Sequence, residues 1–264
     1  NKGDLLVYST RREGTTGRVY DLESYYTADI YSTKFKYGKW SKAKSIGSPN
    51  SYGNEDCAGM SENGNYIFYH VNNPQSKNNL QLSEKGKSTY GRAIEIDSKE
   101  INSKSDLQIS ATMSNDGNYI IFSSDRRGGY DGSDLYISKK VKSKKDSTKF
   151  EWGEAINLGS KINTKYNEAY PYLVNDGKTL LFASEGHNSM GGFDIFYVNI
   201  NLESLEVGTP KNIGYPINDT DDNTNICFTE DKKTAYISSY RIDGMGNLDI
   251  YKLIFKEPLP FFNE

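Results

Sequence analysis

Polar side chains recur at one position of this sequence, where they could do chemistry together. Glu55, Gln108 and Glu168 each lie nine residues before a turn glycine, Asn223 holds the equivalent position, and Glu257 aligns with them in the C-terminal tail. Such residues around a channel mouth could bind a cation or a basic peptide, and two acids could serve as the acid and the nucleophile or base of a glycosidase. A residue repeated in every unit, however, serves a need of every unit, namely hydrogen bonding to the connecting backbone. We favour this structural interpretation and assign no catalytic residue.

Nucleophilic and metal chemistry find little support in the sequence. It contains no Gly-x-Ser-x-Gly elbow and no His-Glu-x-x-His motif. His70 and His187 are far apart, with no cysteine or carboxylate set placed to join them as ligands. The stretch from Asp125 to Asp134 lacks the ligand spacing of a calcium loop. We therefore expect a protein that is not an enzyme and that uses no metal or cofactor.

The elements that would position these residues repeat along the chain. The tripeptide Asp-Ile-Tyr or a relative stands at 29–31, 134–136, 194–196 and 249–251, with a decayed copy at 79–81, so the interval is 50 to 60 residues. In the middle three units an Asn-Gly or Asp-Gly turn precedes a β-branched and aromatic run. Four short strands in a unit of this length are typical of a propeller blade. The sequence predicts an all-β fold, a five-bladed β-propeller of four-stranded antiparallel blades.

The predicted propeller is a single domain over residues 1–264, and its first blade begins at a second strand. We place the blades at about 1–54 with 257–264, 55–106, 107–166, 167–221 and 222–256. The tail at 257–263 aligns with the innermost strand of the fourth blade, so we predict that it completes the first blade. One residue spans at most about 3.6 Å, and Lys256 alone separates the tail from the preceding strand. Either residues are missing between Phe255 and Glu257, or the tail takes another route.

Composition excludes two classes of function. A net charge of −3 gives no electrostatic footprint for nucleic acid. The mean hydropathy is −0.74, and no apolar run is long enough to predict a membrane span. The chain begins at Asn1 rather than Met, so we expect a mature protein or an excised domain.

Departures from the repeat are the better guide to a partner site. The first unit has seventeen positions between Arg12 and Asp29, whereas the third has seven between Arg127 and Asp134. Tyrosine and arginine are enriched at protein–protein hot spots. The candidate partner-binding residues are therefore Arg11, Arg12, Arg18, Tyr20, Tyr25, Tyr26, Arg126 and Arg127. The alternative, held equally, is a loop whose tyrosines fold back onto their own blade.

Two stretches resemble a known family. The phrase Asn-Asp-Gly at 115–117, followed by Ser-Ser-Asp-Arg-Arg-Gly-Gly at 123–129 and Asp-Leu-Tyr at 134–136, is similar to the WD-like repeats of TolB-type propellers. The motifs Trp152-Gly153, Leu158-Gly159, Ile162-Asn163, Asn167-Glu168 and Pro171 resemble the propellers of OmpA-family, outer-membrane-associated proteins such as the PorE-like lipoproteins of type IX secretion. The resemblance covers nearly the whole chain, although the second blade departs from it.

The resemblance implies a non-enzymatic, periplasmic, outer-membrane-associated scaffold. Its partners would be proteins of the cell envelope that support type IX secretion or gliding. Peptidoglycan would be reached only through domains that this chain does not contain. The alternative functions are a carbohydrate-active enzyme, or a propeller that binds a small ligand or peptide with the polar residues at its channel mouth.

Overall fold

The structure is a computed structural model that describes residues 3–17, 26–47, 49–72, 79–87, 90–103, 106–241, 244 and 248–263. The described strands form five antiparallel sheets, one for each repeat unit. The predicted all-β, five-bladed propeller is confirmed.

Each blade is a meander that runs outward from the propeller axis. Blade 1 contains β1 (Leu5–Thr10), β2 (Asp29–Lys36), β3 (Lys39–Trp40) and β4 (Lys44–Ser45). Blade 2 contains β5 (Asn54–Met60), β6 (Tyr66–Asn72), β7 (Leu80–Glu84) and β8 (Ile94–Glu95). Blade 3 contains β9 (Ala111–Met113), β10 (Tyr119–Ser124), β11 (Asp134–Lys142), β12 (Phe150–Trp152) and β13 (Ile156–Asn157). Blade 4 contains β14 (Glu168–Val174), β15 (Thr179–Ser184), β16 (Asp194–Asn199) and β17 (Lys211–Asn212), and blade 5 contains β18 (Asn223–Phe228), β19 (Thr234–Ser239) and β20 (Asp249–Ile254).

Two blades depart from a regular four-strand order. In blades 1 and 3 the outermost position is shared by two short strands, since β3 and β4 both pair with β2, and β12 and β13 both pair with β11. Among the described residues, blade 5 ends at its third strand. The complete four-strand order is seen in blades 2 and 4.

The hairpin turns define the two ends of the molecule. Asn175 and Asp176 have φ angles of 56° and 54°, and Gly177 has 79°, which is the backbone that Asn, Asp and Gly tolerate best. This turn joins the first two strands of blade 4, and the equivalent turns lie at the same end, which we call the turn end. The inner strands β5, β14 and β18, together with the segment before β9, begin at the opposite end, which we call the mouth end.

The core lies between adjacent blades and is built from the second and third strands. Every residue of β15 is buried, as are all residues of β10 except Tyr119. Phe122 stacks on Tyr136 across β10 and β11, and Phe182 stacks on Phe196 at the same place in blade 4. The β-branched and aromatic runs therefore fill the space between blades, as strand propensity and burial both favour.

A buried asparagine holds the third strand in each of the first four blades. Its side-chain oxygen accepts from the N–H of the residue after the conserved-pattern Asp or Asn, and its Nδ2 donates to that residue's C=O, at 2.8–3.0 Å. The pairs are Asn50 with Ile30, Asn102 with Leu80, Asn163 with Leu135 and Asn218 with Ile195. These clamps satisfy backbone groups where the chain leaves one blade for the next.

A carboxylate connects three blades at the turn end. Glu62, in the turn of blade 2, accepts hydrogen bonds from the N–H groups of Asn175 and Asp176 in blade 4 at 2.8 and 3.0 Å. It also accepts from Nδ2 of Asn115 in blade 3 at 3.0 Å. Blades 2 and 4 are not neighbours, so these bonds cross the propeller axis. The channel is therefore bridged at the turn end, and the mouth end is its accessible side.

The prediction that the tail completes the first blade is wrong. The tail forms a 3₁₀ helix (Pro260–Phe262), and Phe261 is buried against Tyr197 and Phe228 of blades 4 and 5. The reason is direction. Strand β20 ends at the turn end, whereas an inner strand must begin at the mouth end, about 20 Å away for six extended residues, and Lys256 cannot cross that distance.

We predict that Asn163→Ala lowers the free energy of unfolding by about 2–5 kcal/mol, because it leaves the buried N–H and C=O of Leu135 without partners. Chemical denaturation of both proteins measures this difference. Asn188→Ala, at an exposed loop position, is the matched control and should change stability by less than about 0.5 kcal/mol. Equal stability of the two variants would contradict the clamp's role.

Candidate functional site

The polar residues predicted at the channel mouth lie at the mouth end but do not face the channel. Glu55, Gln108, Glu168 and Asn223 start or precede the inner strands of blades 2 to 5, and each is fully buried, with 0% exposure. They lie at equivalent positions of successive blades, as the repeat predicted. Each side chain turns instead toward the segment that enters its own blade.

Glu168 shows the arrangement most fully. Its carboxylate accepts from the N–H and the hydroxyl of Thr164 and from the hydroxyl of Ser184, all at 2.7 Å. Thr164 lies in the segment that arrives from blade 3, and Ser184 ends the second strand of blade 4. The carboxylate therefore ties the incoming chain to its new blade.

The same bonds recur in weaker forms around the ring. Glu55 accepts from the N–H of Ser51 at 3.0 Å and from the Ser51 hydroxyl. Asn223 donates to Oδ1 of Asp219 at 2.9 Å, which reverses the direction of the bond. Gln108 donates to the hydroxyl of Ser124 at 3.3 Å.

The assignment of Glu257 to this ring is wrong. Its carboxylate lies at the turn end, where Lys233 Nζ approaches it at 3.1 Å, and its side chain is largely exposed. The cause is the one that displaces the whole tail: β20 delivers residue 257 to the end opposite the ring.

Burial governs the charge state of the two ring acids. Burial raises the pKa of Glu168 above its ordinary value, and the hydrogen bonds from Thr164 and Ser184 partly oppose that rise. Burial likewise raises the pKa of Glu55, against the hydrogen bonds from Ser51. These are carboxylates committed to backbone and hydroxyl donors, and a substrate in the channel would not contact them.

Arg126 is part of the blade rather than of an open surface. Its guanidinium lies over the rings of Phe122 and Tyr136 at 4.9 and 4.8 Å. Its Nη1 and Nη2 donate to the C=O groups of Glu100 and Ile101 at 2.8 and 3.1 Å. The side chain thus seals the end of blade 3 against the segment leaving blade 2.

The same position is used in other blades. Arg12 lies over Tyr31 at 4.7 Å, and Arg241 lies over Tyr251 at 4.9 Å. His187 replaces arginine in blade 4 and packs against Phe196 at 5.2 Å. Stacking on the aromatic residue of the Asp-Ile-Tyr unit explains why an arginine recurs after the second strand, a relationship that the sequence alone did not reveal.

The predicted partner-binding set is therefore divided. Arg11 and Arg127 are exposed at the mouth end, on blades separated by blade 2. Tyr26 is half-buried and forms an isolated bridge. The calls on Arg18, Tyr20 and Tyr25 lie outside the described residues.

A set of exposed tyrosines at the mouth end was not anticipated. They lie in the loops between the second and third strands or in the segments that enter an inner strand, and they come from four of the five repeat units: Tyr52, Tyr130, Tyr166, Tyr215 and Tyr240. Tyr52 and Tyr215 are 83% and 79% exposed. We call these five residues the mouth face. Their signal in the sequence was a tyrosine in loops otherwise rich in Gly, Asn and Asp, which becomes informative only once all these loops are known to share one end.

Two searches of the described part of the chain gave negative results. No group of three or more His, Cys, Asp or Glu side chains within it is placed to hold a metal ion. No helix in the same residues is long and apolar enough to cross a membrane.

Comparison with known proteins gives similarity in structure alone. No protein-family model and no curated protein matches the sequence. TolB from Acinetobacter baumannii superposes with a TM-score of 0.53 at 13% identity, over 98% of this chain and 52% of TolB. The periplasmic gluconolactonase PpgL from Pseudomonas aeruginosa has a TM-score of 0.42 at 9% identity, over 95% of this chain and 85% of PpgL. This chain spans about half the length of that TolB, and at 13% identity the similarity establishes a TolB-like propeller fold only.

We predict that Arg126→Ala lowers the free energy of unfolding by about 2–4 kcal/mol, because it removes two stacked rings' partner and leaves two carbonyls without donors. The neighbouring Arg127→Ala should change it by less than about 0.5 kcal/mol, since Arg127 is exposed. Urea denaturation of both variants decides the matter, and equal effects would show that the stack contributes nothing.

We predict a pH-dependent effect of Glu168→Gln. The pKa of Glu168 is raised in the folded chain, so its favourable contribution is present below the ordinary value of 4.5 and is lost as pH rises through the raised pKa. The stability of wild type relative to the variant should therefore fall between pH 4 and pH 8. Urea denaturation across this range measures it, and Glu257→Gln controls for loss of one negative charge. A difference that grows with pH would contradict the burial argument.

Proposed function

We propose that this propeller is a non-enzymatic docking scaffold whose mouth face binds another protein. The observation that carries the proposal is the mouth face itself. Tyrosine offers a large amphipathic contact at a low entropic cost and is enriched at interface hot spots. Five exposed tyrosines at one end of a rigid fold form a platform for a partner.

The chemistry of the interior supports docking over catalysis. The acids that could have formed an active site, Glu55 and Glu168, are buried and bonded to the entering chain segments. Arg126 is bonded to backbone carbonyls. The polar groups left at the mouth end are surface groups of mixed charge, including Arg127, Asp131 and Asp221, which suit the rim of a protein interface.

We further propose that the partner belongs to the cell envelope and that the chain works in the periplasm. The TolB-like fold and the TolB-type and OmpA-family motifs support this placement. Association with the outer membrane, in support of type IX secretion or gliding, is the more specific form of the proposal. It rests on the motif resemblance around Trp152 to Pro171.

Affinity capture from envelope extracts, with quantitative mass spectrometry, tests the docking function. The double variant Tyr52→Ala, Tyr215→Ala should lose its partner at least about tenfold, because truncating hot-spot tyrosines costs about 2 kcal/mol or more. Tyr37→Ala is the matched control, since Tyr37 is 98% exposed but lies at the turn end in the β2–β3 hairpin, and it should retain the partner.

Recovery of outer-membrane secretion or gliding components would support the specific proposal as well as the general one. Equal recovery by wild type and the double variant would remove the mouth face from the docking site. A chain that captures no partner at all would overturn the scaffold function.

A further inference from the structure

The first blade carries an unpaired strand edge on its channel side. Strand β1 occupies the position of a second strand, and among the described residues it pairs only with β2. All six residues of β1 are half-buried, whereas its counterpart β15 is buried throughout. A strand in this position normally has an inner strand beside it, as β10, β15 and β19 do.

The pairing register identifies the backbone groups on this edge. The N–H of Phe35 donates to the C=O of Asp4, so these two residues form a hydrogen-bonded pair. Antiparallel pairs alternate, so the N–H and C=O groups of Leu5, Val7 and Ser9 point away from β2 and toward the missing inner strand. In blade 3 the corresponding groups are satisfied, as where Ser123 N–H donates to Ser110 C=O.

The other four blades define the chemistry of the strand that fits. Each inner strand opens with Glu, Gln or Asn at the mouth end, and five residues later carries a large apolar side chain: Met60, Met113, Leu173 or Phe228. In β14 the opening residue lies opposite Ser184 and the apolar residue opposite Leu180. The corresponding positions of blade 1 are Thr10 and Leu6, because Tyr8 pairs with Tyr31 as Phe182 pairs with Phe196.

Charge selects among the possible opening residues. Arg12 lies at the mouth end of β1, and its Nε donates to the Thr10 hydroxyl at 3.3 Å, which leaves that hydroxyl's own proton for an acceptor. Arg11 is close enough to β5 to oppose the rise in the pKa of Asp56 that burial causes. Two arginines and a hydroxyl donor complement a carboxylate better than an amide.

The chain's own tail does not provide this strand. It has the right spacing, Glu257 and Phe262, but it lies at the turn end with Phe261 buried between blades 4 and 5. We propose that an extended segment of a partner protein pairs antiparallel with β1 and supplies the inner strand of the first blade, with a glutamate opposite Thr10 and Met, Leu or Phe opposite Leu6. This strand addition deepens the proposed docking function and rests on it.

A fluorescein-labelled synthetic peptide that copies β14 tests the proposal, since β14 has the required glutamate and leucine. Its binding to the 264-residue chain, followed by fluorescence anisotropy, should be saturable. A peptide with lysine in place of its glutamate should bind at least about tenfold more weakly, because a charge-assisted bond is replaced by repulsion from two arginines.

Backbone methylation of the peptide separates strand addition from other modes of binding. Tyr172 lies opposite Leu181, the counterpart of Val7, so N-methylation there blocks a bond to β1 and should weaken binding at least about tenfold. Leu173 points its N–H away from the paired strand, toward the hydroxyl of Thr112 at 3.3 Å. N-methylation at Leu173 is the matched control and should leave strand pairing intact. Equal affinities of the two peptides, or no saturable binding, would overturn the proposal.

A variant of the protein provides the reciprocal test. Val7→Pro removes an N–H from the open edge without removing a bond to β2, and it should abolish peptide binding while thermal unfolding shows a folded chain. If sedimentation reveals a dimer that Val7→Pro dissociates, a second copy is the occupant and the partner assignment fails. The Tyr52→Ala, Tyr215→Ala variant should bind the peptide as wild type does, so failure of strand addition and failure of the mouth-face docking are distinguishable.

Discussion

The need to satisfy backbone groups where the chain passes from one blade to the next governs the rest of this structure. At each crossing the chain leaves a sheet and enters another without a continuous ladder of hydrogen bonds, and an unpaired buried amide is costly. Asn163 meets that need for the third strand it clamps, and Glu168 meets it for the segment that enters the next blade. Arg126 closes the same junction from outside by bonding two carbonyls.

This constraint explains why residues with catalytic potential do no visible catalysis. A carboxylate near a channel, an arginine after a strand and an asparagine before a turn look like functional groups when taken singly. Repeated in each blade, they are the side chains that replace missing backbone partners. The residues that differ between blades carry more information about function, and these lie on the mouth face and along β1.

The two ends and the open edge give the propeller a polarity. Glu62 bridges blades 2, 3 and 4 across the axis, and the tail packs at the same end. The mouth end instead presents exposed tyrosines, and blade 1 presents backbone donors and acceptors. A partner that engages both would bind by aromatic contacts on the mouth face and by strand pairing within the first blade, two interactions that reinforce one another when they are linked.

The sequence by itself determined the all-β class, the number of blades, the turns and the equivalence of Glu55, Gln108, Glu168 and Asn223, because strand alternation and turn chemistry act over a few residues and repeat with the blade. Tertiary structure alone decided the rest. The tail was misassigned because its alignment was local, whereas the end at which β20 finishes is global. The stacks of Arg126 and its counterparts, the burial of the ring acids and the gathering of distant tyrosines on one face all depend on contacts between segments tens of residues apart. Residue spacing along a chain does not specify those contacts, since they follow from how the blades pack around the axis.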